Sequence, residues 1–216
     1  RETPVPGNAT QMLVKVIEKC SRLLQFHSKS SYVDNALLLI GKSFYYQQNY
    51  QQAMQKFREL IATQPNSSFI LESQLWIGKT DMRLRNFASG IDVLHTVREK
   101  AIEEGEEDIA VATYIEEIRY YLSIENYTQA IVFAEELLNV STSRTKNAEI
   151  VYETGLMYFK IKDYENAALA FKNVERYSPS FDVEFKSRLE YARAMRELGR
   201  DEEALDVLKA MRSEDK

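Results

Sequence analysis

Few side chains in this sequence are of a type and spacing that could do chemistry. The two histidines, His27 and His95, lie about 68 residues apart and neither has a second histidine four positions on that would complete a metal pair. A metal site or a nucleophile–base pair needs such groups brought together, so each histidine reads as a surface or half-buried side chain. The single cysteine, Cys20, cannot form an internal disulfide. It reads as a small buried hydrophobe rather than a reactive thiol, because a 37-residue step places it at the position of Phe57. The acidic stretch EKAIEEGEEDIA lacks the alternating oxygen ligands of a calcium loop and reads as a solvated inter-repeat segment. Sequons at Asn8, Asn66, Asn126 and Asn139 acquire meaning only in a secreted eukaryotic chain. No Ser/His/Asp set, phosphate-cradling glycine loop or Cys-x-x-Cys occurs. The expectation is therefore no enzyme, no cofactor and no metal.

The elements that would position any functional surface are more legible. Of 216 residues 44% are hydrophobic, yet only 7 are Gly and 4 Pro. Helix interiors exclude both residues, so the chain is expected to be all-α. The net charge is −5, which disfavours nucleic acid as a partner. No apolar run reaches the length of a transmembrane helix, so no transmembrane segment is expected. Residues 1–9 read as a disordered lead-in and 213–216 as a tail.

A glycine in the middle of a strong helix former sets the architecture. Gly41 sits in LLLIGKSFYYQQNYQQAMQKF, where glycine costs about 1 kcal/mol relative to alanine. Leu37, Ile40, Gly41, Phe44, Ala53, Phe57, Leu60 and Pro65 form a spaced pattern. It recurs at the same spacing as Val151, Gly155, Tyr158, Ala167, Phe171, Val174 and Pro179. Weaker copies hold Ile77, Gly78, Gly90 and Leu94; Tyr114, Ile118, Ala130 and Ala134; and Tyr191, Ala192, Ala204 and Leu208. Positions 41, 78, 118, 155 and 192 are separated by 37, 40, 37 and 37 residues. Such a step marks a helical repeat. Small residues at Gly41 and Ala53 let two antiparallel helices approach closely, and Ile118 requires that contact to be looser or rebuilt in the third copy.

This fingerprint resembles the tetratricopeptide repeat. The resemblance implies a right-handed α-α solenoid of about five helix-turn-helix repeats preceded by one unpaired helix. The helix spans 10–28 and the repeats about 34–67, 71–104, 111–144, 148–181 and 185–212, in a single solenoid over 10–212. Stretches NYQQAMQKFRELIATQPNSSF and DYENAALAFKNVERYSPS are similar to bacterial envelope proteins. These are the lipoprotein of the outer-membrane β-barrel assembly machine and the Tol–Pal-associated family. That likeness implies a periplasmic location, or the periplasmic face of the outer membrane, with the cytoplasm as the alternative.

In such a solenoid the first helix of each repeat lines the concave face. One place after each Gly41-equivalent come Lys42, Lys79, Arg119, Leu156 and Arg193, four of the five basic. Beside them run Tyr45, Met82, Leu122 and Phe159, with Tyr152 on the same face. The expectation is a non-enzymatic scaffold that binds a protein or peptide of acidic character. Lys42, Lys79, Arg119 and Arg193 would steer, and Tyr45, Met82, Leu122, Tyr152 and Phe159 would anchor. The alternative is a structural or oligomerisation module stacking through its terminal helices, with Val16, Cys20 and Leu23 as an exposed apolar face. A monomer or weak oligomer is expected.

Overall fold

The structure is a computed structural model, and residues 7–214 are described. Among them are eleven α-helices and one 3-10 turn: α1 Gly7–Phe26, α2 Val33–Tyr46, α3 Tyr50–Thr63, α4 Ile70–Arg83, α5 Phe87–Glu104, α6 Glu107–Ser123, α7 Tyr127–Val140, α8 Arg144–Lys160, α9 Tyr164–Asn173, the turn Val174–Arg176, α10 Phe181–Glu197 and α11 Asp201–Glu214. None is long and apolar enough to cross a membrane. The chain is all-α, as expected. Helices α2/α3, α4/α5, α6/α7, α8/α9 and α10/α11 are the successive pairs. Helix α1 precedes them and begins at Gly7, inside the stretch read as an irregular lead-in. Residues 1–6 of that lead-in and 215–216 of the tail lie outside the described residues.

The chain divides into two compact units, residues 1–113 and 114–216. In the first, α1 packs on α2, and each later helix through α5 packs on its predecessor. Its core gathers Leu37, Leu38, Tyr45, Ala53, Phe57, Leu60 and Trp76. Val16, Cys20 and Leu23 of α1 are half-buried rather than exposed, and Leu23 packs against this core. In the second unit, Ala130, Ile131 and Ala134 of α7 meet Met157 of α8, and Ala167, Ala168 and Phe171 of α9 meet Ala192, Ala194 and Met195 of α10.

The glycines are where the helix pairs touch. A Cβ on Gly41 would lie 2.5 Å from Cε1 of Phe57, and one on Gly155 would lie 2.6 Å from Cε1 of Phe171. Gly78 is closed off by Leu94 and Gly90 by the sulfur of Met82. In the third pair the small residue has moved to the other side: Ile118 stands on α6, and Ala134 takes the place of the ring.

Each helix pair turns through the same backbone device. Gln48, Arg85, Glu125, Lys162 and Gly199 all adopt positive φ, between 58° and 73°. They are spaced as the glycine positions are. The left-handed conformation reverses the chain, and the second helix opens just beyond it. Asn49, Asn126 and Asp163 cap α3, α7 and α9, their side chains accepting from the backbone N–H of Gln52, Gln129 and Asn166 respectively. Asn86 instead donates through its side chain to Asp81, 3.0 Å away, and makes no cap bond. Between pairs, Ser143 and Ser180 cap α8 and α10. The Ser67 hydroxyl accepts from the N–H of Phe69 and donates to Asp34 of α2, tying the start of α4 to the preceding pair.

Candidate functional site

The first helices of the pairs carry the side chains expected to meet a partner, and the structure sorts them into different environments. In the first unit, Trp76 of α4 is the centre. Its ring lies edge-on to Tyr45 at 5.0 Å and stacks on Phe57 at 6.0 Å. Three cations converge on the Tyr45–Trp76 pair. Lys79 stands 4.3 Å from the Trp76 ring and 6.0 Å from Tyr45, Lys42 stands 5.6 Å from Trp76, and Arg83 is 6.0 Å from Tyr45. Ring faces attract cations, most strongly for tryptophan, so the floor holds these groups in place. Glu72 pairs with Lys42 at 2.5 Å and accepts from the Trp76 indole N–H. The result is a basic surface on an aromatic floor, with Glu72 at its edge.

Two expected anchors belong to that floor rather than to its surface. Tyr45 is 2% exposed and Met82 6%, so their side chains are committed to the interior. Tyr45 is packed by Trp76, Tyr46 and Tyr50; Met82 is pressed against Gly90. Trp76, which organises the site, escaped the sequence reading. It is the sole tryptophan, with Glu72 four residues before it and Lys79 three after, and that helical spacing is the signal that marks it.

In the second unit, Arg119 and Leu122 line a cavity of about 680 Å³ between α6, α7 and α8, with Ile115, Ile118, Leu156 and Met157 as its apolar bed. Arg119 is held by Glu116, 2.8 Å away, whose own side chain is almost wholly buried. Glu149, Glu153 and Lys160 complete the rim. Glu153 has its pKa raised, first by burial and then by Glu149; Lys186 pulls the other way. Tyr152 and Phe159 are partly buried. Tyr152 leans on Phe171 at 6.0 Å, and Phe159 meets Tyr164 at 5.1 Å. Arg193 lies 5.3 Å from the Phe159 ring and is held by Glu190 at 2.7 Å. Leu156 interrupts the series of basic residues.

The remaining chemistry-bearing residues stand apart. His95 is an exposed neighbour of Glu99, and His27 is exposed. Cys20 is half-buried, and burial raises its thiol pKa, which lowers the thiolate fraction. Among the described residues no three His, Cys, Asp or Glu side chains gather as metal ligands would.

Comparison with known proteins places the fold. Residues 35–67, the α2/α3 pair, match the tetratricopeptide repeat family model. Sequence comparison with curated proteins finds no match. Among solved structures, the C-terminal part of a TPR repeat-containing protein from Cytophaga hutchinsonii is similar over 94% of this chain and 76% of its own, at 16% identity and a TM-score of 0.67. BtubC from P. vanneervenii covers 94% of this chain and 91% of its own, at 11% identity and a TM-score of 0.63. MamA protein covers 83% and 90%, at 16% identity and a TM-score of 0.55. The chain carries a tetratricopeptide repeat at residues 35–67 and has the all-α helix-pair fold of tetratricopeptide-repeat proteins.

Proposed function

We propose that this protein is a non-enzymatic scaffold that binds an acidic segment of a partner protein on the α2/α4 face of its first unit. The observation that carries this reading is the convergence of Lys42, Lys79 and Arg83 on the Tyr45–Trp76 pair. A carboxylate approaching this surface meets Lys79 and Arg83 positioned by the rings beneath them and Lys42 positioned by Glu72, which reduces the ordering cost of charge-assisted hydrogen bonds. The resemblance of residues 49–69 and 163–180 to envelope proteins supports a bacterial periplasmic setting, which cell fractionation tests.

The experiment is capture of partners from native lysate at low salt by the wild-type chain and by a Lys42→Glu, Lys79→Glu, Arg83→Glu variant. Mass spectrometry then identifies what is held. A partner bound by wild type and lost by the folded variant, with an acidic segment at the protected region, supports the reading. An identical catch from both removes this face from consideration.

A further inference from the structure

The cavity between α6, α7 and α8 stands where the first unit keeps its rings. Aligning Gly41 with Ile118 and Gly78 with Gly155 matches Lys42, Tyr45, Phe57, Glu72, Trp76 and Arg83 to Arg119, Leu122, Ala134, Glu149, Glu153 and Lys160. All six of the latter line the cavity. In the first unit the chain fills this space itself, with Trp76 edge-on to Tyr45 and stacked on Phe57. In the second unit all three rings are gone. Larger neighbours make up for one of them. Ile118 stands in the place of Gly41 and Met157 in the place of Thr80, and both pack with Ala134 where a Phe57 ring would lie. Nothing makes up for the other two, because Leu122 and Glu153 carry no ring. About 680 Å³ remains, open to solvent at Leu122, which is 38% exposed. That volume is typical of a small-molecule site. Between α8 and α10 of the same unit, Phe159 holds the Tyr45 place, so a ring is kept there.

The charge at this place is incomplete in the same way. Glutamate takes the Trp76 place in α6, α8 and α10, as Glu116, Glu153 and Glu190. Glu116 and Glu190 each hold the arginine three residues on, Arg119 at 2.8 Å and Arg193 at 2.7 Å. Three residues after Glu153 comes Leu156, so its helix offers no such cation. Lys186 of α10 acts on Glu153 from a distance, but its ammonium is bound to Asp182 at 2.6 Å. Glu149, one turn before, adds a second negative charge. Arg119 is committed to Glu116, and Lys160 lies two helical turns beyond Glu153. Arg119 and Lys160 nevertheless keep the places of Lys42 and Arg83, which stand 5.6 Å from the Trp76 ring and 6.0 Å from the Tyr45 ring. Cations so placed favour an aromatic body over an aliphatic one.

We infer that the α6/α7/α8 cavity binds a small aromatic amine. Its ring takes the place of the Tyr45–Trp76 pair, between Leu122 and Leu156, and its ammonium takes the place of the missing arginine beside Glu153. An aromatic acid is rejected, because its charge would meet Glu149 and Glu153. The site is separate from the α2/α4 face and does not rest on partner binding there.

The probe is tryptamine, titrated into the full chain at neutral pH and followed by calorimetry. The expected result is saturable binding. Indolepropionate, the same ring system with the opposite charge, binds about tenfold more weakly or worse. A Glu153→Gln chain binds tryptamine about tenfold more weakly, yet binds neutral indole as the wild type does, which assigns the loss to charge. A Leu122→Tyr, Glu153→Trp chain restores the ring pair of the first unit, closes the cavity and loses tryptamine. Both residues are exposed, so that chain keeps the wild-type melting temperature or exceeds it. Any one of three results overturns the inference: no saturable binding by the wild type, equal binding of tryptamine and indolepropionate, or tryptamine binding that the ring-restored chain retains.

Discussion

Substituting Gly41 by alanine tests the packing logic of the whole chain, because two effects of known size oppose each other there. Alanine gains about 1 kcal/mol over glycine in a helix interior. Against this, the new Cβ would stand 2.5, 2.8 and 2.9 Å from Cε1, Cδ1 and Cζ of Phe57. Ordinary contact begins near 3.4 Å, so the ring edge or the helices must move by almost an ångström. Phe57 is fully buried and stacked on Trp76, which leaves the ring no space to turn into. Overpacking of this kind costs about 1–3 kcal/mol. With three ring atoms inside 3.0 Å the cost falls in the upper part of that range, about 2–3 kcal/mol, and the net expectation is a loss of roughly 1–2 kcal/mol once the helix-propensity gain is subtracted. Urea unfolding followed by fluorescence of Trp76, the sole tryptophan, reads the affected site directly. Gly41→Ala with stability equal to or above wild type refutes the argument. The Gly41→Ala, Phe57→Leu double variant supplies the internal control. The smaller side chain admits the methyl group, so the alanine costs less in that background than in wild type. Gly41→Leu, which drives a larger side chain into the same ring, is expected to be worse than Gly41→Ala.

Other positions respond in ways the structure specifies. Lys162 adopts a φ of 63°, so Lys162→Gly relieves left-handed strain and raises stability by about 0.5–1 kcal/mol in urea titration; a loss would show that the turn is not strained. Asp163→Ala removes the cap on the Asn166 N–H and costs about 1 kcal/mol, visible as a lowered midpoint of urea unfolding. Glu153 has a raised pKa in the folded chain, so its ionisation opposes folding as pH climbs from the unfolded carboxylate's pKa through the folded one. Glu153→Gln therefore raises the melting temperature at neutral pH and leaves it unchanged in acid below both pKa values, where both states are protonated. A gain that persisted in acid would assign the effect to packing instead.

The repeat was legible in the sequence because its physical cause is local. Gly41 and Gly155 face the rings of Phe57 and Phe171, and a close approach of two helices joined by a short turn leaves a fixed spacing in the chain. The turns leave a local signal as well, in Asn49, Asn126 and Asp163 at helix starts, residue types whose side chains cap a helix. Their positive-φ residues leave none, since Gln48, Arg85, Glu125 and Lys162 share no side-chain chemistry, and backbone closure alone selects the conformation. The candidate site was legible only in part. Periodicity placed Lys42, Lys79 and Tyr45 on one helix face, but a face has a surface and a floor, and depth is set by the neighbouring helix. Trp76 lies over Tyr45 and sends it inside while leaving Lys42 and Lys79 above the rings. Similarly, Phe171 and Leu208 occupy the same place in their pairs, and nothing in either residue says that one is sealed and the other open. Sequence determined the helices, their pairing and the positions that meet, because those follow from propensity and spacing within one pair. Tertiary structure alone decided which of those positions remain open to another molecule, because burial depends on helices that lie elsewhere in the chain.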